Sequence, residues 1–103
     1  MRIEYTAPAS NDLDDIRRYY AERVGADAAE KFVLRIMTTL ERLLARNPRI
    51  GRRRSEFGFD TRSFPVLPYV VFYRIKGSRD QVRRILHGHR DIRPPLASLL
   101  VAV

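Results

Sequence analysis

The sequence has no cysteine and no long apolar stretch, and only two of its 20 basic residues are lysine. Without cysteine, the chain cannot form disulfide bonds or thiolate metal sites. Its longest apolar run, LASLLVAV at residues 96–103, is far too short to cross a bilayer. The opening segment MRIEYTAPAS lacks the apolar core of a signal peptide. We therefore expect a soluble cytoplasmic protein that does not associate with membranes.

Acidic residues are scarce in the second half of the chain. Residues 1–45 carry 7 Lys and Arg against 8 Asp and Glu, whereas residues 46–103 carry 13 against 4, so the net charge of +8 arises in the second half. A concentrated positive field attracts an acidic partner, which can be nucleic acid or an acidic protein segment. The preference for arginine fits bidentate contacts to phosphate or carboxylate, and composition bias explains it equally well. We expect the function to lie in the basic half.

The first 46 residues predict a scaffold without reactive groups. Residues 2–6 alternate between polar and apolar side chains, which indicates a short strand. Two amphipathic helices follow, separated at Gly25 and ended by an Asn-Pro pair at 47–48, with Thr6 or Ser10 as the first helix cap. The apolar positions at helical spacing are Leu13, Ile16, Tyr20 and Val24 in the first helix and Ala29, Phe32, Ile36, Leu40 and Leu43 in the second. These residues predict an antiparallel helical hairpin with an apolar seam.

From residue 47 the character of the sequence changes. The segment NPRIGRRRSEFGFD contains two glycines, a proline and clustered arginines, and is predicted to be a loop. Strands are predicted at Thr61–Val66, Tyr69–Ile75 and Gln81–His87, with a polar turn over Lys76–Asp80. The run YVVFYRI is apolar on both faces, which is typical of a central strand with helices on one side.

The length of 103 residues favours one domain with its own core. The predicted fold class is α+β. Residues 1–46 supply the first strand and the helical hairpin, residues 47–93 the basic loop and a three-stranded antiparallel meander that forms one sheet, and residues 94–103 an apolar tail.

Several segments in this order resemble the RelE/ParE superfamily of toxins from bacterial toxin–antitoxin pairs. They are DLDDI in the first helix, then GRR, RSFPV, YVVFYRI and the terminal ILHGHRDI. The resemblance covers nearly the whole chain and is closer to the ParE branch than to the RelE branch. It implies a small α+β domain wrapped by a ParD-like antitoxin in a hetero-oligomer, and inhibition of DNA gyrase without enzymatic activity.

The RelE branch implies a different activity, ribosome-dependent cleavage of mRNA. That chemistry needs a general base, a general acid and cations that stabilise the phosphorane. The residues available for it are Arg62, His87, His89 and Arg90. Two departures weaken this alternative, because Val70 and Val71 stand where the RNase branch often has arginine, and no tyrosine follows HGHRDI. The alternative role for these histidines and Arg90 is structural, in hydrogen bonds and ion pairs at the sheet edge.

The expected contacts with the antitoxin or the target are Arg52, Arg53, Arg54, Arg62, His87, Arg90, Leu96, Leu99 and Leu100. Two alternatives stay open: the three loop arginines can be a solvated surface, and the apolar tail can fold back onto the domain. No metal site is expected, because the two histidines lack a third ligand nearby. No cofactor is expected either. A basic nucleic-acid-binding module is the third interpretation. It ranks last because no arginine-rich helix and no open aromatic sheet face are evident in the sequence.

Overall fold

The computed structural model describes residues 2–58 and 60–88. Two helices pack on one face of a five-stranded sheet. The strands are β1 (Arg2–Tyr5), β2 (Arg52–Arg53), β3 (Arg62–Val66), β4 (Tyr69–Lys76) and β5 (Arg79–His87). The helices are α1 (Ala7–Val24) and α2 (Ala26–Arg46), and a 3₁₀ turn covers Ser55–Phe57. Within the described ranges, no helix combines the length and apolar character needed to span a membrane.

The helical hairpin begins and turns where the sequence predicts. Thr6 caps α1, because its Oγ1 accepts a hydrogen bond from the Ala9 N–H at 3.2 Å. Gly25 has a φ of 95°, a conformation that side chains with a Cβ rarely adopt, and it joins the two helices directly. α2 ends at Arg46, immediately before the Asn-Pro pair.

Most of the predicted helical core is confirmed, with two exceptions. Val24 is 60% exposed, because it is the last residue of α1 and lies beside the turn into α2. Leu43 is 37% exposed, whereas Val33 and Leu44 are fully buried. The buried stripe of α2 is therefore rotated by a fraction of a turn from the predicted one, so that Leu44 instead of Leu43 faces the sheet.

The sheet contains the predicted antiparallel meander of β3, β4 and β5, with β4 in its centre. Its strand order is β1-β5-β4-β3-β2, because β1 pairs parallel with β5 and the short β2 extends the opposite edge. The predicted loop at residues 47–60 therefore contains a strand. The turn between β4 and β5 is shorter than predicted, with only Gly77 and Ser78 between the strands, which places Asp80 inside β5.

β5 contains a bulge that explains its irregular alternation. Phe72 lies opposite Arg84 and Tyr73 lies opposite Val82, so Arg83 has no partner on β4. After the bulge, Ile85 again faces the helices and joins the main core. A smaller apolar cluster lies on the other face of the sheet, where Phe57 covers Phe72 and Leu86.

α1 continues the edge of the sheet where β1 ends. β1 reaches only to Val82 in β5. Beyond that point, the Thr6 hydroxyl donates to the Arg83 carbonyl at 3.0 Å, and Asp12 Oδ2 accepts the Ile85 N–H at 2.9 Å. Asp12 also forms a two-pronged ion pair with Arg84, at 2.8 and 2.9 Å. Side chains of the helix thus satisfy backbone groups of β5 that β1 is too short to reach.

Candidate functional site

The basic segment after α2 forms one corner of the sheet. β2 pairs antiparallel with β3, so that Arg52 lies opposite Ser63 and Arg53 opposite Arg62. The arginine corner, as this region is named below, comprises Arg49, Arg52, Arg53, Arg54 and Arg62. These five cations surround one edge of the sheet. Neighbouring cations in such an arrangement raise the local positive potential.

The corner is anchored by Tyr73, a fully buried residue of β4. The Tyr73 hydroxyl donates to the Pro48 carbonyl at 2.7 Å and accepts the Gly51 N–H at 2.8 Å. Burial raises the pKa of this hydroxyl, so it stays protonated and keeps donating at neutral pH. A Cβ on residue 51 would overlap the Tyr73 ring, which explains the glycine. The loop therefore has a fixed path.

Two of the five arginines are turned inward and hold the corner together. Arg62 donates to the backbone carbonyls of Gly51 at 2.9 Å and Arg49 at 3.3 Å. Arg54 contacts Glu56 at 3.2 Å and lies over the Phe57 ring. These contacts give both guanidinium groups a structural role, whatever else they bind.

Arg52 and Arg53 point outward instead. Both are exposed, and neither has an ion-pair partner among residues 2–58 and 60–88. A groove of about 380 Å³ runs beside Arg52 between Ile50 and Pro65. A cavity of about 210 Å³ lies on the Arg53 side, beside Asp60. The corner thus offers free cations next to an apolar groove, a combination suited to a peptide that carries both acidic and apolar side chains.

His87 lies elsewhere on the sheet. It is the last residue of β5 and is half-buried, opposite Tyr69, with the two rings edge to face at 5.5 Å. Arg62, in contrast, lies opposite Tyr73 on the other side of β4. The two pairing positions are four residues apart, which is about 13 Å along the strand. The structure does not bring these two predicted residues together.

The other predicted site residues, His89, Arg90, Leu96, Leu99 and Leu100, lie outside the described residues. Among those described, there is no cluster of three potential metal ligands.

The sequence did not predict the positions of two acidic residues, Asp12 and Asp80, which lie against and within the sheet. Asp12 ties α1 to β5, and its position four residues before the buried Ile16 could have revealed an acid facing the sheet. Asp80 is fully buried, and it was hidden in a segment predicted to be a turn.

Comparisons with known proteins agree with this architecture. Residues 3–92 match the family described as the ParE toxin of the type II toxin–antitoxin system parDE. Toxin ParE3 of Caulobacter vibrioides is 37% identical over 91 residues, which cover 88% of this chain and 90% of that protein. Toxin ParE1 of the same organism is 32% identical over 88 residues, covering 85% and 90%.

A solved structure extends the match to the fold. It is a chain from the chromosomal ParDE toxin–antitoxin system of P. aeruginosa, with a TM-score of 0.70 and 27% identity. The superposition covers 84% of this chain and 95% of the other. With its two helices and mixed five-stranded sheet, the chain belongs to the ParE family of type II toxin–antitoxin toxins.

Proposed function

We propose that the chain inhibits DNA gyrase and is neutralised by a ParD-like antitoxin. The observation that carries the proposal is the match to the ParE family over residues 3–92, which includes the arginine corner and every described element. The related structure from P. aeruginosa is named for a toxin–antitoxin pair, which supports an antitoxin partner for this chain as well.

The positions of Arg62 and His87, the two candidate catalytic residues that the structure describes, weigh against the alternative, an mRNA endonuclease. A phosphoryl-transfer site needs its acid, base and charge-stabilising groups around one phosphate. Arg62 is bonded to two backbone carbonyls, and His87 packs on Tyr69 about 13 Å away along β4. These two residues do not share a phosphate in this arrangement.

The arginine corner is the surface proposed to meet the antitoxin. An acidic and apolar segment of the antitoxin can pair with Arg52 and Arg53 while its apolar side chains enter the groove beside Ile50. Electrostatic complementarity of this kind speeds association and selects the partner. His87 and the C-terminal Leu96, Leu99 and Leu100 remain proposed contacts of the same partner or of gyrase.

A supercoiling assay tests the proposed target. We expect purified toxin to reduce the ATP-dependent supercoiling of relaxed plasmid by gyrase in proportion to its concentration. Relaxation of the same plasmid by a type I topoisomerase should be unaffected, which controls for general effects on DNA. Prior incubation with a cognate ParD-like antitoxin should restore supercoiling.

The competing activity is measured in parallel with programmed ribosomes. We expect intact mRNA at toxin concentrations that stop gyrase. Defined mRNA cuts together with undiminished supercoiling would overturn the proposal and favour the endonuclease.

A further inference from the structure

The sheet face opposite the helices carries a row of cations that the proposed function does not use. Arg2 of β1 lies opposite Arg79 of β5, which in turn lies opposite Lys76 of β4. All three are exposed. Ile3 packs into the main core, and Asp80 is buried on the side of the sheet that faces the helices. Because consecutive side chains of a strand point to opposite faces, Arg2 and Arg79 lie on the face away from the helices. These three residues are named the cation row.

Like charges directly opposite each other destabilise a sheet. One carboxylate offsets part of this repulsion, because Glu4 forms an ion pair with Arg79 at 2.6 Å. The Arg79 guanidinium also holds the pKa of Glu4 below its ordinary value, so Glu4 stays ionised. Arg2 and Lys76 have no ion-pair partner among the residues that the structure describes. The row therefore retains an excess of positive charge that an external anion can neutralise.

The row crosses three adjacent strands beside the turn between β4 and β5. β4 and β5 are joined there by the two-residue turn Gly77-Ser78, with Gly77 at a φ of 63°. Adjacent strands lie about 4.8 Å apart, so the three Cα positions span roughly 10 Å. That length matches a few phosphates along one nucleic-acid backbone.

We propose that the cation row binds the phosphate backbone of duplex DNA. A single-stranded nucleic acid would need exposed aromatic rings for base stacking, and Phe72, the aromatic residue of β4 on this face, is fully buried. A specific acidic peptide would need an adjoining apolar groove, such as the one at the arginine corner. The row instead offers long cationic side chains that outnumber their one carboxylate, Glu4, which suits sequence-independent contacts with phosphates.

Salt dependence measures the number of phosphate contacts directly. Each phosphate that a cation neutralises contributes about 0.9 to the slope of log K against log salt concentration. Arg2 and Lys76 are the cations of the row without an ion-pair partner among the described residues, so loss of their two contacts should reduce the slope by roughly 1.8.

The test is a fluorescence-anisotropy titration of a short labelled duplex of arbitrary sequence over a series of salt concentrations. The variant Arg2→Ser/Lys76→Ser/Arg79→Ser should show the smaller slope. The matched control Lys31→Ser/Arg42→Ser/Arg46→Ser removes the same charge from exposed positions on α2, and it should keep most of the wild-type slope. Circular dichroism verifies that both variants are folded.

A second variant tests the proposal by gain of binding. Glu4→Gln frees Arg79, so it should bind the duplex more tightly than Glu22→Gln, which removes an equal charge from the surface of α1. Equal slopes for the row and control variants, or equal affinities for the two glutamine variants, would overturn the proposal. Loss of antitoxin binding by the row variant with an unchanged duplex slope would also overturn it, in favour of a protein partner. No gyrase is present in the titration, so its outcome is independent of the proposed target.

Discussion

The Asp80 carboxylate lies in surroundings that disfavour its ionised form. It lies in β5 between Ile3 and Ile75 on the neighbouring strands, and its side chain is fully buried. Neither carboxylate oxygen has a hydrogen-bond partner among the described residues. Burial without partners favours the neutral acid, and it raises the pKa of Asp80 above its ordinary value.

This raised pKa predicts a specific pH dependence of stability. Below the unfolded-state pKa of about 3.9, Asp80 is protonated in both states and the fold is least penalised. Between this pH and the higher folded-state pKa, Asp80 ionises in the unfolded protein but stays protonated in the folded one. The free energy of unfolding therefore falls as the pH rises through this range. Asp80→Asn removes this loss, so it should raise the free energy of unfolding at neutral pH relative to the wild type.

Denaturant unfolding at several pH values checks this expectation. The difference between Asp80→Asn and the wild type should grow from acidic to neutral pH and then level off. The exposed Glu22 gives the control, since Glu22→Gln should show no such growth. A difference that shrinks toward neutral pH would mean that the Asp80 charge is stabilised in the folded protein.

The structural role of a single residue was predictable where residues close to it in the sequence determine that role. Thr6 and Gly25 were identified because caps and turns are local. Tyr73 lies in the run YVVFYRI that predicts a central strand, but the bonds from its hydroxyl to Pro48 and Gly51 depend on residues more than 20 positions away. Asp80 was misplaced because a polar KGSRD segment predicts a longer turn than the two residues observed.

Among the elements, α1 and β5 are joined by a largely buried ion pair between Asp12 and Arg84. Asp12 is only 11% exposed and Arg84 19%, and Asp12 also accepts the Ile85 N–H. This group replaces a neighbouring strand along the part of β5 that β1 does not reach.

Removal of the Asp12 carboxylate should therefore destabilise the fold. Asp12→Ala removes the acceptor of two Arg84 N–H groups and of the Ile85 N–H, so we expect a loss of about 2–3 kcal/mol in the free energy of unfolding. Asp15→Ala removes an exposed ion pair with Arg18 from the same helix and should cost under about 0.5 kcal/mol. Thermal or denaturant unfolding of the two variants provides the comparison. Equal losses would show that Asp12 acts only as surface charge.

The long elements were predictable, because amphipathic periodicity and alternation are properties of contiguous residues. β2 was not, since a strand of two residues exists only through its pairing with β3. The pairing of β1 with β5 was likewise hidden, because it joins opposite ends of the chain. The bulge at Arg83 was not predicted either, because it exists only in the pairing of β5 with β4.

At the scale of the whole molecule, positive charge is concentrated in two separate places on one sheet. The arginine corner lies at the β2–β3 edge, and the cation row crosses β1, β5 and β4. Of the predicted site residues, the fold brings Arg52, Arg53, Arg54 and Arg62 together and leaves His87 apart. Clustering of the arginines was predictable from their proximity in sequence, whereas the cation row was not.

The outward arginines of the corner should govern association with the antitoxin. Arg52→Ser/Arg53→Ser should weaken binding of the ParD-like antitoxin and reduce the dependence of that binding on salt, because both cations are exposed and unpaired among the described residues. Stability should change by less than about 0.5 kcal/mol, as is usual for surface substitutions. Isothermal titration calorimetry at two salt concentrations measures both effects.

Lys76→Ser/Arg79→Ser provides the matched control, because it removes the same charge from the cation row. We expect it to retain nearly full affinity for the antitoxin. Equal weakening by both variants would assign the effect to net charge alone, and unchanged binding by both would leave the arginine corner as a solvated surface.

The parallel pairing of β1 with β5 also affects the order in which the elements fold during synthesis. Arg2 and Arg79 are neighbours in the sheet although almost the whole described chain separates them. The helical hairpin and the meander involve nearby residues and can form early, whereas β1 can join the sheet only after β5 has been synthesised. Closing so long a segment is slow, so docking of β1 is expected to be a late step of folding. A chain translated only as far as β4 would lack both the finished sheet edge and the complete cation row, and both would form only after β5 has left the ribosome.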